Sequence, residues 1–88
     1  MQILLFPLGQ VFITPGALAI DIDFSPYLHR HQSGDWGDLG EEDRAENNFS
    51  LKTGLRVLSA YHTSDGIKFW IITEANRSAT TILLPSEY

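Results

Sequence analysis

No cysteine occurs among the 88 residues, so the chain can build neither a disulfide framework nor a thiolate zinc site. That usage fits a reducing compartment. Cations are scarce, with six Lys and Arg against eleven Asp and Glu and a formal net charge of −5. They are also scattered, at Arg30, Arg44, Lys52, Arg56, Lys68 and Arg77. Nucleic-acid affinity rests on clustered cations, so a phosphate-tracking surface is disfavoured. The apolar opening MQILLFPLGQ has no basic flank and is broken by Pro7, so it reads as neither a signal peptide nor a membrane span. The expectation is a soluble, cytoplasmic protein with no membrane partner. Also missing are an H-E-x-x-H helix, a calcium-loop pattern, a G-x-S-x-G elbow and a phosphate-binding glycine loop. No repeat, linker or low-complexity tract interrupts the chain.

What is present is an ordinary folding composition, 43% hydrophobic and 19% charged, in one domain spanning residues 1–88. Gln10–Thr14 reads as a short strand. Thr14-Pro15 then starts a helix, with Thr as N-cap and Pro at the first helical position, over about Pro15–Ile20. Ser25-Pro26 repeats the device for a second helix, about Pro26–Gln32, stopped by Gly34. Asp38 and Glu41 have capping-box spacing before a third helix, about Glu41–Thr53, ended by Gly54. Its apolar face is thin, with Phe49 as the expected anchor.

After Gly54 the pattern turns β-branched and aromatic, in LRVLSAYH, IKFWIITE and ATTILL. Asp65-Gly66 signals a two-residue hairpin. That loop pairs His62 with Phe69 and Ala60 with Ile71, and sets Tyr61 opposite Trp70. A longer turn at residues 75–78 pairs Ile71 with Ile82 and Phe69 with Leu84. The fold class expected is α+β: three short helices packed on one face of a three- to four-stranded antiparallel sheet, the C-terminal strands forming a meander that Gln10–Thr14 extends at its edge. This register puts Leu58, Ala60, Phe69, Ile71, Ile82 and Leu84 in the core. Val57, Tyr61, Trp70, Ile72 and Leu83 fall on the reverse face, an aromatic contact surface. Lys68 beside Tyr61 and Trp70 raises a single-strand stacking platform as a weaker alternative, against which the acidic charge argues.

The stretch HRHQSGDWGDLGEEDRAEN, residues 29–47, gathers two histidines and six of the carboxylates. Asp38, Glu42 and Glu46 share one helical ridge at i, i+4 and i+8. The plainest account is helix-cap and turn chemistry, with first-turn acids stabilised by the helix dipole and Trp36 plugging the core between the second and third helices. A second account is a protein-binding acidic face. A third is a metal-dependent enzyme, with His31, Asp35, Glu42 and Glu46 as acid–base groups or His31, Asp38, Glu42 and Glu46 as ligands.

FPLGQVFITPGAL, HQSGDWGDLGEED, the AEN that follows, GLRVLSAYHTSDG and ITEANRSATTILLPSEY together resemble a family of small uncharacterised "plasmid-related" proteins carried on bacterial plasmids, integrative elements and phages. The resemblance runs from Phe6 to Tyr88, with MQILL as a variable leader. It implies a bacterial mobile-element setting and brings no catalytic residue with it. Small acidic proteins in that setting sometimes block the nucleic-acid surface of host defence enzymes, which an acidic ridge suits. The functional expectation is a non-enzymatic protein-interaction module with no cofactor and an unknown protein partner. It would act through Asp38, Glu42 and Glu46 and through Tyr61, Trp70 and Leu83, with a homodimer across the aromatic face as one form.

Overall fold

The computed structural model describes residues 4–88. A first strand, Gln10–Ile13 (β1), leads into a one-turn helix, Pro15–Leu18 (α1). Thr14 caps it as the sequence predicts, its Oγ1 accepting from the Ala17 N–H at 3.3 Å. The helix ends two residues before Ile20, and Asp21 takes a left-handed φ of 58° in the turn beyond. A second helix, Ser25–Gln32 (α2), carries Pro26 in its first turn, and Gly34 follows it at a φ of 84°. The third helix, Glu41–Thr53 (α3), ends at left-handed Gly54. The expected capping box is absent. Gly40 holds the N-cap position, while Asp38 pairs with His62 at 2.7 Å. Arg44 secures the start of α3 instead, donating to Leu39 O and Gly37 O, each at 2.8 Å.

The strands Val57–His62 (β2), Lys68–Thr73 (β3) and Ala79–Leu83 (β4) form the antiparallel meander. The sheet order is β1-β4-β3-β2. The N-terminal strand does add to an edge, but it lies parallel to β4, so the sheet is mixed and not antiparallel throughout. No hairpin fixes its direction, because three helices separate β1 from the next strand in the chain.

The β3–β4 register is the one the sequence predicts, with Ile71 opposite Ile82. The β2–β3 register differs by one residue, pairing Ala60 with Trp70 and Tyr61 with Phe69. The cause lies in the turn. Gly66 N–H donates to Thr63 O at 3.0 Å, Thr63 N–H donates to Ile67 O at 2.9 Å, and Gly66 has a φ of 89°. The connection is therefore a three-residue loop with a left-handed glycine bulge, where the expectation had two residues. A one-residue slip exchanges the faces of a strand. Val57, Ser59 and Tyr61 accordingly join Phe69, Ile71 and Ile82 in the interior, whereas Leu58 and Ala60 turn to the reverse face and are only half-buried.

Ala17 of α1 and Phe24, at the N-cap of α2, pack on Tyr61, Phe69, Ile71 and Ile82, with Tyr27 and Leu28 against them. A second cluster joins Phe6, Trp36 and Val57, flanked by Leu39 and Leu51. Trp36 is 3% exposed and plugs the core as expected. The anchor of α3 is not Phe49, which is exposed, but Asn47 and Ser50, which are buried. Asn47 binds the backbone of Leu58, the second residue of β2, through both its amide nitrogen (2.6 Å) and its oxygen (3.1 Å). Just beyond, Ala60 N–H donates to Trp36 O at 3.1 Å and accepts, through its carbonyl, from Asp38 N–H at 2.7 Å. The outer edge of β2 is thus occupied at Leu58 and at Ala60. Among the described residues no helix is long and apolar enough to cross a membrane.

Candidate functional site

Between α3 and the reverse face of the sheet lies a groove of about 770 Å³. Its acidic wall is Glu42, Asp43 and Glu46, and Leu39, Leu58 and Trp70 line its apolar side. The arrangement follows from local structure. Asn47 and Ser50 are drawn in to β2, so the carboxylates one turn earlier overhang the strand. Leu58 faces the groove because β2 has the shifted register, and Trp70 of β3 lies on the same reverse face, where the sequence reading put it. Among the described residues the carboxylates paired with a Lys, Arg or His side chain are Asp35, with Arg30, and Asp38, with His62. None of Glu42, Asp43 and Glu46 has such a partner among them, and Arg56, which lines the same groove, holds the Tyr88 hydroxyl instead. Arg44, on the same helix, is committed to backbone carbonyls.

Trp70 is half-buried. The ring of Tyr88 meets it edge-on, with 5.7 Å between centroids, and Arg56 donates to the Tyr88 hydroxyl while lying over its ring. A smaller hollow of about 390 Å³ adjoins, bordered by Asp38, Ala60, Lys68 and Pro85 and sharing Leu39 and Trp70 with the main groove.

Of the interaction residues read from the sequence, Glu42, Glu46 and Trp70 line one groove, and Asp38 and Trp70 line its neighbour. Two are corrected. Tyr61 is 2% exposed and Leu83 5%, so neither offers a free contact surface. Tyr61 moves inward because of the register, and its hydroxyl donates to Asp35 O at 2.6 Å. Burial pushes that hydroxyl up to about 12. Asp43, Arg56 and Leu58 are groove residues that sequence reasoning missed. Asp43 stands one turn before buried Asn47, a spacing that marks the inward face of α3 once Asn47 is recognised as the anchor.

The proposed His31–Asp35–Glu42–Glu46 and His31–Asp38–Glu42–Glu46 sets do not converge. Among the described residues no three His, Asp or Glu side chains gather as a metal site would require. Asp35 accepts from Arg30 at 2.8 Å, and this hydrogen bond holds its carboxyl below the usual range. His31 is fully buried. Its Nδ1 lies 2.5 Å from Ser59 Oγ and its Nε2 lies 2.9 Å from Thr73 Oγ1. Thr73 Oγ1 is 2.7 Å from Thr80 Oγ1, which donates to Leu8 O at 2.7 Å.

The Leu8 carbonyl can only accept, and that fixes the direction of the whole chain. Thr80 gives its proton to Leu8, so Thr73 donates to Thr80. His31 then donates from Nε2 to Thr73, and Ser59 donates to the bare Nδ1. One neutral tautomer satisfies every group. Burial, with the Arg77 charge adding to it, depresses the His31 imidazole to about 3. A Ser–His contact of this kind resembles a nucleophile and its base, but Ser59 and His31 are both 0% exposed and no substrate reaches them. The chain ties the N-terminal segment, α2, β2, β3 and β4 into one polar core.

Comparison with known proteins returned no match, neither a family model, nor a curated relative, nor a solved structure.

Proposed function

We propose that this protein is a non-enzymatic interaction module that receives a basic segment of a partner protein in the groove between α3 and β3. The observation that carries the reading is the wall of Glu42, Asp43 and Glu46, which forms no ion pair among the described residues, lining one groove with the half-buried indole of Trp70. A guanidinium or ammonium group entering between them gains carboxylate hydrogen bonds and the face of an aromatic ring together. The aliphatic stem of the same side chain covers Leu39 and Leu58. A bacterial cytoplasm and a mobile-element carrier are the setting that accompanies this reading.

The test is titration with a short Arg-rich peptide while following tryptophan emission, with a neutral peptide of equal length as control. The expected result is a saturable, salt-sensitive change that disappears in Trp70→Phe, while buried Trp36 supplies a constant background. Equal responses to the two peptides, or a response that survives Trp70→Phe, would sink the reading.

A further inference from the structure

The two edges of the sheet are treated differently. The β2 edge is occupied by Asn47 and by the Trp36–Asp38 segment. Among the described residues nothing pairs with the outer edge of β1. All four β1 residues are exposed, Val11 at 40%, Phe12 at 48% and Ile13 at 42%. Gln10 N–H donates to Ser78 O and Thr14 N–H to Ile82 O, each at 3.0 Å. Alternation therefore turns the backbone groups of Gln10, Phe12 and Thr14 toward β4 and those of Val11 and Ile13 outward. An open apolar strand edge is a template for another strand, and proteins usually blunt such edges with charge, bulges or cover. None of the first twenty residues of this chain is charged.

We propose that β1 is a homodimer surface: two copies pair β1 antiparallel about a two-fold axis at Phe12, joining their sheets edge to edge. The register follows from which groups point outward. Outward residues must form the hydrogen-bonded pairs, so Val11 of each copy lies opposite Ile13 of the other, and Phe12 lies opposite itself in the close, non-hydrogen-bonded position. Val11 and Ile13 share the face of Thr80 and Ile82, so this pairing brings four aliphatic side chains together on one face and two phenyl rings on the other.

The edge itself selects a second copy as the occupant: without a charged side chain in the first twenty residues it matches an uncharged apolar strand, which another β1 supplies, and charge does not oppose the pairing. The acidic helix α3 sits beside β2, at the opposite end of the strand order from β1. Three strand spacings, roughly 14 Å, separate those edges, more than the screening length of about 8 Å at physiological salt. Self-association at β1 therefore keeps the two acidic faces at the far ends of the joined sheet. Pairing across the α3 groove would oppose them. Because the β2 edge is occupied, each copy offers one free edge, and the assembly closes at two. The strands are four residues long, so a weak dimer in the micromolar range is the expected strength.

The experiment uses sedimentation velocity on the whole chain, from roughly ten to several hundred micromolar. The wild type is expected to pass from monomer to dimer. Phe12→Lys and Phe12→Glu, each setting like charges opposite one another, are expected to weaken association at least ten-fold. An equimolar mixture of the two is expected to restore a dimer, which also shows that both variants fold. Because the chain has no cysteine, Phe12→Cys should cross-link to its own copy on mild oxidation, whereas Gln10→Cys, which faces Thr14 of the other copy, should not. A wild type that stays monomeric, a dimer indifferent to Phe12→Lys, a mixture that fails to reassociate, or cross-linking at position 10 but not at 12 would each overturn the proposal.

Discussion

The side-chain amide of Asn47 stands in for a neighbouring strand at Leu58. Its Nδ2 donates to Leu58 O at 2.6 Å and its Oδ1 accepts from Leu58 N–H at 3.1 Å. A polar residue thus fastens α3 to the sheet and closes a strand edge with one side chain. Asn47→Ala leaves both Leu58 backbone groups without a partner at a half-buried position. The expected loss is about 2–3 kcal/mol, from two orphaned groups at about 1–3 kcal/mol each, partly relieved by water. Urea denaturation measures it. Asn47→Asp should be no better, since it keeps the acceptor for Leu58 N–H but sets a carboxylate against the Leu58 carbonyl.

This contact also marks where the sequence stops being legible. The helix start at Thr14-Pro15, the stop at Gly54 and the three-strand meander are local chemistry, and the chain spells them out. At Ser25-Pro26 it marks the helix but not its cap, because Phe24 holds the N-cap position and Ser25 caps nothing. The β2 register depended on whether the turn used two residues or three. Asp65-Gly66 is compatible with both, since Gly66 supplies the left-handed residue either way, and that single ambiguity exchanged the faces of Tyr61 and Leu58. The third helix misled for another reason: hydrophobic periodicity looks for apolar anchors, and this helix is held by Asn47 and Ser50. The acidic ridge was readable, as was Trp70, but their meeting in one groove depends on Asn47, which draws α3 to β2. His31 beside a run of carboxylates suggested a site, whereas its partners, Ser59 and Thr73, come from strands 28 and 42 residues away.

Stability should rise with pH through the titration of His31. The folded imidazole stays neutral down to about 3, against an ordinary value of 6.5. Between those limits the unfolded chain binds a proton that the folded chain refuses, so acid favours unfolding. The contribution is complete above about 6.5 and is lost progressively as pH falls toward 3. Unfolding free energy should drop by about 2 kcal/mol from pH 7 to pH 5 on this account alone. The lowered carboxyls of Asp23, Asp35 and Glu87 act in the same direction but in a more acidic window. His31→Gln should flatten the slope between pH 5 and 7, and a slope unchanged by that substitution would contradict the assignment.

Gly37 and Gly54 have almost the same left-handed φ, 75° and 74°, yet substitution should separate them. A Cβ at Gly37 would stand 2.0 Å from Ala60 O, the carbonyl that accepts from Asp38 N–H, whereas a Cβ at Gly54 meets nothing within 4 Å. Gly54→Ala is charged with the left-handed conformation alone, about 1 kcal/mol. Gly37→Ala must also push the loop off β2 and break its bridge, so a loss of about 3 kcal/mol or more is expected. Thermal or urea unfolding of the two variants side by side gives the comparison.

Trp70 and Trp36 report separately on groove and core. Trp36 is 3% exposed, while the indole of Trp70 borders both hollows and carries Tyr88 on one side. Acrylamide should therefore quench one accessible population that vanishes in Trp70→Phe. Tyr88→Ala removes the covering ring without touching the core, since Tyr88 is 66% exposed. It should raise the quenching of Trp70 and, by freeing the indole for a cation, tighten an Arg-rich peptide. Glu42→Gln with Glu46→Gln should leave quenching unchanged and weaken the same peptide about ten-fold, the scale set by losing charge-assisted hydrogen bonds. If the double variant binds as well as the wild type, the carboxylate wall is not what holds the peptide.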